Sequence, residues 1–331
     1  MKLLIIRFSS IGDIVLTTPV IRALRQQLGA EVHYLTKQGF RGIVAANPHV
    51  AKVYTINNKV SEVMSALKEE KYDYVIDLHR NLRSAQVKWG LGARSYSFDK
   101  INWEKWLIVN LKANRLPDVH IVGRYLATVE SLGVKNDGLG LDYFIPPEDE
   151  VSVGNLLATN VLAPQQEAPK YIAFVIGAAH NTKRLPTDKI ISICRQVSMP
   201  VLLLGGPGEA DEGTQIADAA GGQVLNMCGL FNLNQSASIV RQAYKVISHD
   251  TGLMHIAAAF GKSLLSVWGN TIPEFGMYPY YPEGVNRNTT FEVKGLSCRP
   301  CSKIGFQECP KGHFRCMQDI SEEAIVRALQ G

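Results

Sequence analysis

Three short segments combine residue types that could move a proton, hold a phosphate or steady a leaving group. The first is Phe8-Ser9-Ser10-Ile11-Gly12-Asp13-Ile14-Val15, between an apolar strand pattern and a helix pattern. Gly12 permits a tight turn and close backbone approach, and a carboxylate at position 13 is electrostatically favoured near a helix start. Asp13 therefore has two readings. It supports the helix, or it is a general base at the carboxyl end of a strand, contributing on the order of 10²–10⁴ in rate. The second segment is Ile176-Gly177-Ala178-Ala179-His180-Asn181-Thr182-Lys183-Arg184-Leu185-Pro186. Its small residues let backbone approach a ligand, and Thr182, Lys183 and Arg184 offer donors to phosphate. The competing reading is a solvated basic loop. The third runs from His249-Asp250-Thr251-Gly252 through His255 to Ala257-Ala258-Ala259. Free N–H groups at its helix start can hold a diphosphate. Asp250 also suits a plain N-cap. His255, one turn on from Thr251 and Gly252, is either a packed residue or a ligand contact.

These segments need elements to hold them. Apolar patterns predict strands at Leu3–Arg7, Glu31–Leu35, Val53–Ile56 and Tyr74–Asp77, with helices at Thr18–Leu28, ending at Val44–Asn47, and at Val60–Glu70. The alternation restarts after residue 168. Strands are expected at Tyr171–Ile176, Val201–Leu204, Lys245–Ser248 and Leu264–Val267, and helices at Thr187–Gln196, Gln215–Ala220, Gln235–Gln242 and Leu253–Ala259. Short apolar strands alternating with helices imply parallel sheets covered on both faces. The expected division is a domain at 1–150, a proline-bearing linker at 151–168 with a helix from about Asp149 to Thr159, and a domain at 169–331. Open α/β sheets bind ligands at the carboxyl ends of their strands, so two such domains facing one another would put those ends across a central cleft.

The 331 residues suit two domains, and 46% hydrophobic with 20% charged is ordinary for a globular enzyme. The net charge of +5 lies mostly before residue 150. It is too mild for nucleic acid, and it suits an anionic small substrate or an anionic lipid surface. No apolar run approaches a membrane span. The opening run is too short for a signal peptide and is interrupted by Arg7 and Asp13, so a cytoplasmic location is expected.

Two further clusters stand out. Cys298, Cys301, Cys309 and Cys316, with His313 among them, form a Cys-rich segment at 298–316. The C-x₂-C spacing suits a structural zinc, with reduced thiols or adventitious disulfides as alternatives. Residues 80–124 hold nine Lys and Arg, three acids, and Trp89, Trp103 and Trp106. Basic residues mixed with Trp can dock on an anionic membrane. The alternative is a solvated helical face with its Trp packed inward.

The chain resembles the lipopolysaccharide heptosyltransferases, glycosyltransferase family 9, from the opening strand to about Ile320. Four blocks carry the resemblance: Arg7–Asp13, Asp77-Leu78-His79-Arg80-Asn81-Leu82-Arg83-Ser84, Gly177-Ala178-Ala179 with Thr182-Lys183-Arg184, and Asp250–His255 followed by Trp268-Gly269-Asn270-Thr271. The resemblance implies a GT-B fold of two Rossmann-like domains, acceptor-binding first and donor-binding second. It implies Asp13 as the catalytic base. Thr182, Lys183, Asp250, Thr251, Gly252 and His255 would be donor contacts. Ser10, Gly12, Arg80, Asn81 and Arg83 would lie on the acceptor side. The implied reaction is inverting transfer from ADP-heptose or a similar nucleotide sugar to an anionic glycolipid at the inner membrane, with no cofactor or catalytic metal. Leu185, where the family usually has Trp, and Asn270, where Pro is common, depart from the pattern. Rivals are transfer from another nucleotide sugar and a non-catalytic nucleotide- or glycan-binding relative. A dinucleotide oxidoreductase is disfavoured because no Gly-x-Gly-x-x-Gly follows the first strand.

Overall fold

The computed structural model describes residues 1–159 and 170–330, and the chain forms two compact units. In the first, β1 (Lys2–Ile6), β2 (Glu31–Lys37), β3 (Lys52–Ile56), β4 (Tyr74–Asp77) and β5 (Arg94–Ser97) make one sheet in the order β3-β2-β1-β4-β5, every neighbour parallel. Its helices are α1 (Ile11–Val15), α2 (Thr18–Leu28), α3 (Arg41–Ala45), α4 (Met64–Glu69) and α5 (Leu82–Leu91). The next, α6 (Asn102–Leu111), packs with the second unit, and α7 (Ile121–Leu126) again with the first. Leu4 and Ile6 of β1 are fully buried in a core shared with Phe8, Leu35 and Val75, as expected for a central parallel strand with both faces covered.

In the second unit, β6 (Ile172–Val175), β7 (Val201–Leu204), β8 (Val224–Asn226), β9 (Lys245–His249), β10 (Ser263–Trp268) and β11 (Asn288–Glu292) are ordered β11-β10-β9-β6-β7-β8, again all parallel. They carry α8 (Val153–Thr159), α9 (Thr187–Arg195), α10 (Ala210–Ala220), α11 (Leu233–Gln242), α12 (Gly252–Ala259), α13 (Arg315–Gln318) and α14 (Glu322–Gln330). Two buried clusters cover the sheet, one including Phe174 and Val267, the other including Val175 and Trp268.

Each sheet is Rossmann-like. The strand order runs outward from the unit's first strand, then resumes on that strand's other side. The reversal falls between β1 and β4 in the first unit and between β6 and β9 in the second. Ligands bind outside the carboxyl ends of strands at such switch points.

The unit boundaries differ from a single division near residue 150. Trp103–Leu116 belongs to the second unit and Tyr280–Val285 to the first. Ile108 of α6 is buried against Ile272 and Phe275, a long-range contact that local periodicity does not announce. Tyr280–Val285 passes so close to Gly140 that a Cβ there would stand 2.8 Å from the Pro282 nitrogen. Of the expected linker, α8 buries Val153 and Leu157 in the second core, and 160–169 lie outside the described residues. The expected helix at Val60–Glu70 opens with a 3₁₀ turn, Val60–Glu62, before α4.

Candidate active site

The four segments singled out in sequence follow the four switch-point strands: Arg7–Asp13 after β1, Leu78–Ser84 after β4, Gly177–Lys183 after β6 and Asp250–His255 after β9. Sheet topology therefore gathers them in two pairs, one pair in each unit.

In the first pair, Asp13 sits in the first turn of α1, behind the N-cap Ser10. One carboxylate oxygen accepts from Ser10 N (3.2 Å) and Ser10 Oγ (2.8 Å), which is the helix-supporting role. The other lies 2.7 Å from the Arg7 guanidinium. Arg7 is itself held by the Leu78 carbonyl (2.6 Å), the Ser9 carbonyl (2.7 Å) and Tyr125 Oη (3.0 Å). Burial pushes the Asp13 carboxyl up, but the Arg7 charge and the Ser10 hydrogen bonds outweigh it and hold it below its ordinary value. Its side chain remains 22% exposed. Asp13 is thus a fixed, ionised and reachable carboxylate. Gly12 is not in a turn; it is buried within α1, because the helix begins one residue earlier at Ile11.

Asp77, fully buried at the end of β4, organises the neighbouring loop. It accepts from His79 N (3.0 Å), Arg80 N (2.7 Å) and Ser84 Oγ (2.8 Å), and pairs with Lys88 at 3.0 Å. Arg80 adopts a left-handed φ of 50° and turns its exposed side chain to Asp99 (3.0 Å). Asn81 is the N-cap of α5, its Oδ1 accepting from Ser84 N. Arg83 lies exposed on the first turn of α5. His79, within the Asp77–Ser84 block, announces no chemistry by residue type and spacing alone. Its ring meets Phe8 edge-on, with centroids 5.2 Å apart, and its Nδ1 is buried without a hydrogen-bond partner among the described residues. Burial, reinforced by Arg7 and Lys100, pushes its pKa down to about 4, so it is neutral near pH 7. Its place two residues beyond a switch-point strand was the available signal.

In the second pair, Lys183 Nζ lies 2.6 Å from Asp250 Oδ2, which also accepts from Thr271 Oγ1 at 3.0 Å. Both partners keep some exposure, 15% and 13%. Thr251 is the extended N-cap of α12, with Gly252 as its first residue, leaving N–H groups without intrahelical partners at the helix start. His255 is buried one turn further on.

Thr182, expected to face the donor, turns inward. It is buried, accepts from Phe306 N at 2.8 Å, and lies within hydrogen-bond reach of the Phe306 carbonyl and Asn270 Oδ1. It fastens the Cys-rich segment to the loop that carries Lys183. Asn270 takes part in that fastening, which gives a local reason for Asn at this position. Gly269 is required beside it, since a Cβ would stand 2.6 Å from the Thr182 carbonyl. Leu185 is buried in the core, its N–H donating to His249 Nε2 at 2.9 Å.

Among the described residues, no three ligand atoms of the Cys-rich segment lie within 4.8 Å of one another. Cys298, Cys301, Cys309 and Cys316 are all free thiols. Cys298 Sγ lies 3.8 Å from His313 Nε2, and burial pushes Cys301 up to about 11 and Cys316 to about 12. Among the described residues, the one set of three such side chains with ligand atoms within 4.8 Å is Glu31, His33 and Glu70. There Lys2 and Lys52 already pair with Glu70, at 2.6 and 2.8 Å. That cluster lies toward the amino ends of the strands, away from the switch point. The inward-packed alternative for the tryptophans fails: Trp89, Trp103 and Trp106 are 92%, 64% and 47% exposed. No helix among the described residues is long and apolar enough to cross a membrane.

Comparison with known proteins agrees with this architecture. The model of the family described as "Glycosyltransferase family 9 (heptosyltransferase)" matches residues 60–309. Lipooligosaccharide heptosyltransferase 2 of Haemophilus ducreyi is 26% identical, the match covering 99% of this chain and 98% of that protein. A family 9 glycosyltransferase structure from Veillonella parvula superposes with a TM-score of 0.79 at 21% identity, covering 99% of this chain and 96% of that one. The E. coli ADP-heptose lipopolysaccharide heptosyltransferase II structure gives 0.73 at 18% identity, covering 100% and 98%. The fold is therefore of the GT-B type, with two Rossmann-like domains.

Proposed function

The chain belongs to glycosyltransferase family 9, the heptosyltransferases, and from that premise we propose that it moves a heptose from ADP-heptose to a lipopolysaccharide-core acceptor, with inversion and without a catalytic metal. The observation that carries this reading is the Asp13 carboxylate, held ionised by Arg7 yet still reachable at the β1–β4 switch point. The relatives' names supply the donor and the acceptor class.

In the proposed step, Asp13 takes the proton of an acceptor hydroxyl while that oxygen attacks the anomeric carbon. The bond to the diphosphate breaks, the nucleoside diphosphate leaves with the electron pair, and the transition state is oxocarbenium-like, as in glycoside hydrolysis. Lys183, released from Asp250, and the N–H groups at the start of α12 meet the charge building on the leaving phosphate. These groups do the work a metal ion does in other transferases. Thr251 and Gly252 place that helix start, and Thr182 holds the loop that carries Lys183. Arg80 and Arg83 offer charge to an anionic acceptor. An enzyme of this kind would work at the cytoplasmic face of a membrane, where a glycolipid acceptor presents its head group.

The test is ADP release with ADP-heptose and a lipopolysaccharide-core acceptor, run beside UDP- and GDP-sugars and repeated with EDTA. Turnover with ADP-heptose alone, unaffected by the chelator, is expected. Preference for another nucleotide sugar overturns the donor assignment, and loss of activity with EDTA overturns metal independence.

A further inference from the structure

We propose that α5 seats the first unit on an anionic lipid bilayer, through Leu82 and Trp89, with Arg83 on the same helix and Arg94 three residues beyond its end. The proposal rests on the acceptor reading above, because a glycolipid acceptor is itself held in such a surface. A surface helix of a globular protein ordinarily turns its large apolar side chains toward the core. In α5 the buried positions are Ser84 and Val87, while Leu82 is 85% and Trp89 92% exposed. Seven residues, or two turns, separate them, so they project from one face.

Charge selects the occupant. The segment Leu82–Leu91 contains Arg83 and Lys88 and no acid. Asp77 is matched by Lys88 and Asp99 by Arg80. Arg83 and Arg94 lie exposed. An exposed indole on a helix that also carries an exposed guanidinium suits the boundary between acyl chains and anionic head groups. By contrast, Trp103 and Trp106 on α6 stack on one another at 5.3 Å, and that helix carries Glu104. Because α5 begins at Asn81, beside Arg80 and Arg83, docking its face would bring the proposed acceptor residues to the lipid surface.

The experiment is cosedimentation of the full chain with vesicles of equimolar phosphatidylglycerol and phosphatidylcholine. The Leu82→Ser/Trp89→Ser variant should bind about tenfold or more weakly, as should wild type on pure phosphatidylcholine. Turnover of this variant on a water-soluble, deacylated acceptor should match wild type, which separates failure of docking from failure of the transferase reading. Quenching of Trp89 by brominated lipid, in a Trp103→Phe/Trp106→Phe background, tests the contact without the Ser substitutions, and absence of quenching overturns it. Equal binding by wild type and variant, or equal binding to neutral vesicles, also overturns the proposal. So does a lipid-free dimer that depends on Trp89, which would assign the face to a second copy of the chain.

Discussion

Arg7 and Asp13 form an ion pair of 2.7 Å across the loop that follows β1, while the second oxygen of Asp13 is bound by Ser10. One side chain thus closes a helix start and, in the proposed mechanism, also serves as the base. Asp13→Asn preserves the shape and the reach to Ser10 but removes the proton acceptor. A fall in kcat of about 10²–10⁴-fold is expected, with donor Kd from calorimetry unchanged. An equal loss of donor affinity would move Asp13 from catalysis to donor binding.

The same pair sets a pH dependence. With its pKa held below the ordinary carboxylate value, Asp13 is ionised throughout the neutral range, and in the proposed mechanism its protonation would limit the rate only at acid pH. Arg7→Gln removes the neighbouring positive charge, which makes the neutral acid easier to form and raises the pKa. The acid limb of the kcat profile should therefore move to higher pH. A limb that stays in place, or moves down, would show that another group controls it.

Lys183 and Asp250 occupy each other at 2.6 Å, so in the proposed mechanism a donor diphosphate would compete with Asp250 for the ammonium. Lys183→Gln keeps a donor toward Asp250 but removes the charge. A loss in kcat of about 10²–10³-fold is expected, with an unchanged circular dichroism spectrum. Loss of folded structure would make the pair a structural element instead.

Gly269 leaves room for the Thr182 carbonyl, and Thr182 is pinned to Phe306 through both its backbone and its hydroxyl. That carbonyl cannot step aside for a methyl group. Gly269→Ala should cost about 1–3 kcal/mol in urea unfolding and weaken donor binding by displacing the Lys183 loop. Wild-type stability in the variant would mean the loop has slack that these bonds do not suggest.

Burial pushes His79 down to about 4 and His249 to about 3, from an ordinary value of 6.5. The unfolded chain therefore binds more protons than the folded one through this window, and stability rises with pH across it. The contribution is complete above 6.5 and is lost as pH falls through the folded values. Urea midpoints should decline from pH 6.5 downward, before most carboxylates titrate, and His79→Phe should flatten part of the slope. A midpoint independent of pH between 5 and 6.5 would contradict the burial of both rings as neutral groups.

Much of the fold was legible because it is local. The helix Thr18–Leu28 and the strands Tyr74–Asp77 and Val201–Leu204 match the bounds read from apolar periodicity. The motif loops were recognisable because each follows a buried strand and opens a helix. Their roles were less legible. Asn81 and Thr182 look like ligand contacts in sequence, since a polar side chain in a loop does not reveal whether its partner is a substrate or another part of the chain. In the folded protein Asn81 caps α5 and Thr182 binds Phe306.

From its sequence alone, then, this protein's alternation of strand and helix, its four site segments and its family resemblance could be determined, all of them properties of neighbouring residues. Tertiary structure decided which strands adjoin, and so that the segments meet in pairs at two switch points. It decided that α6 joins the second unit through Ile108, that the cysteines are free thiols, and that Trp89 faces outward. Each of these depends on contacts between residues far apart in the chain, where burial and hydrogen bonding are settled by the whole fold rather than by local spacing.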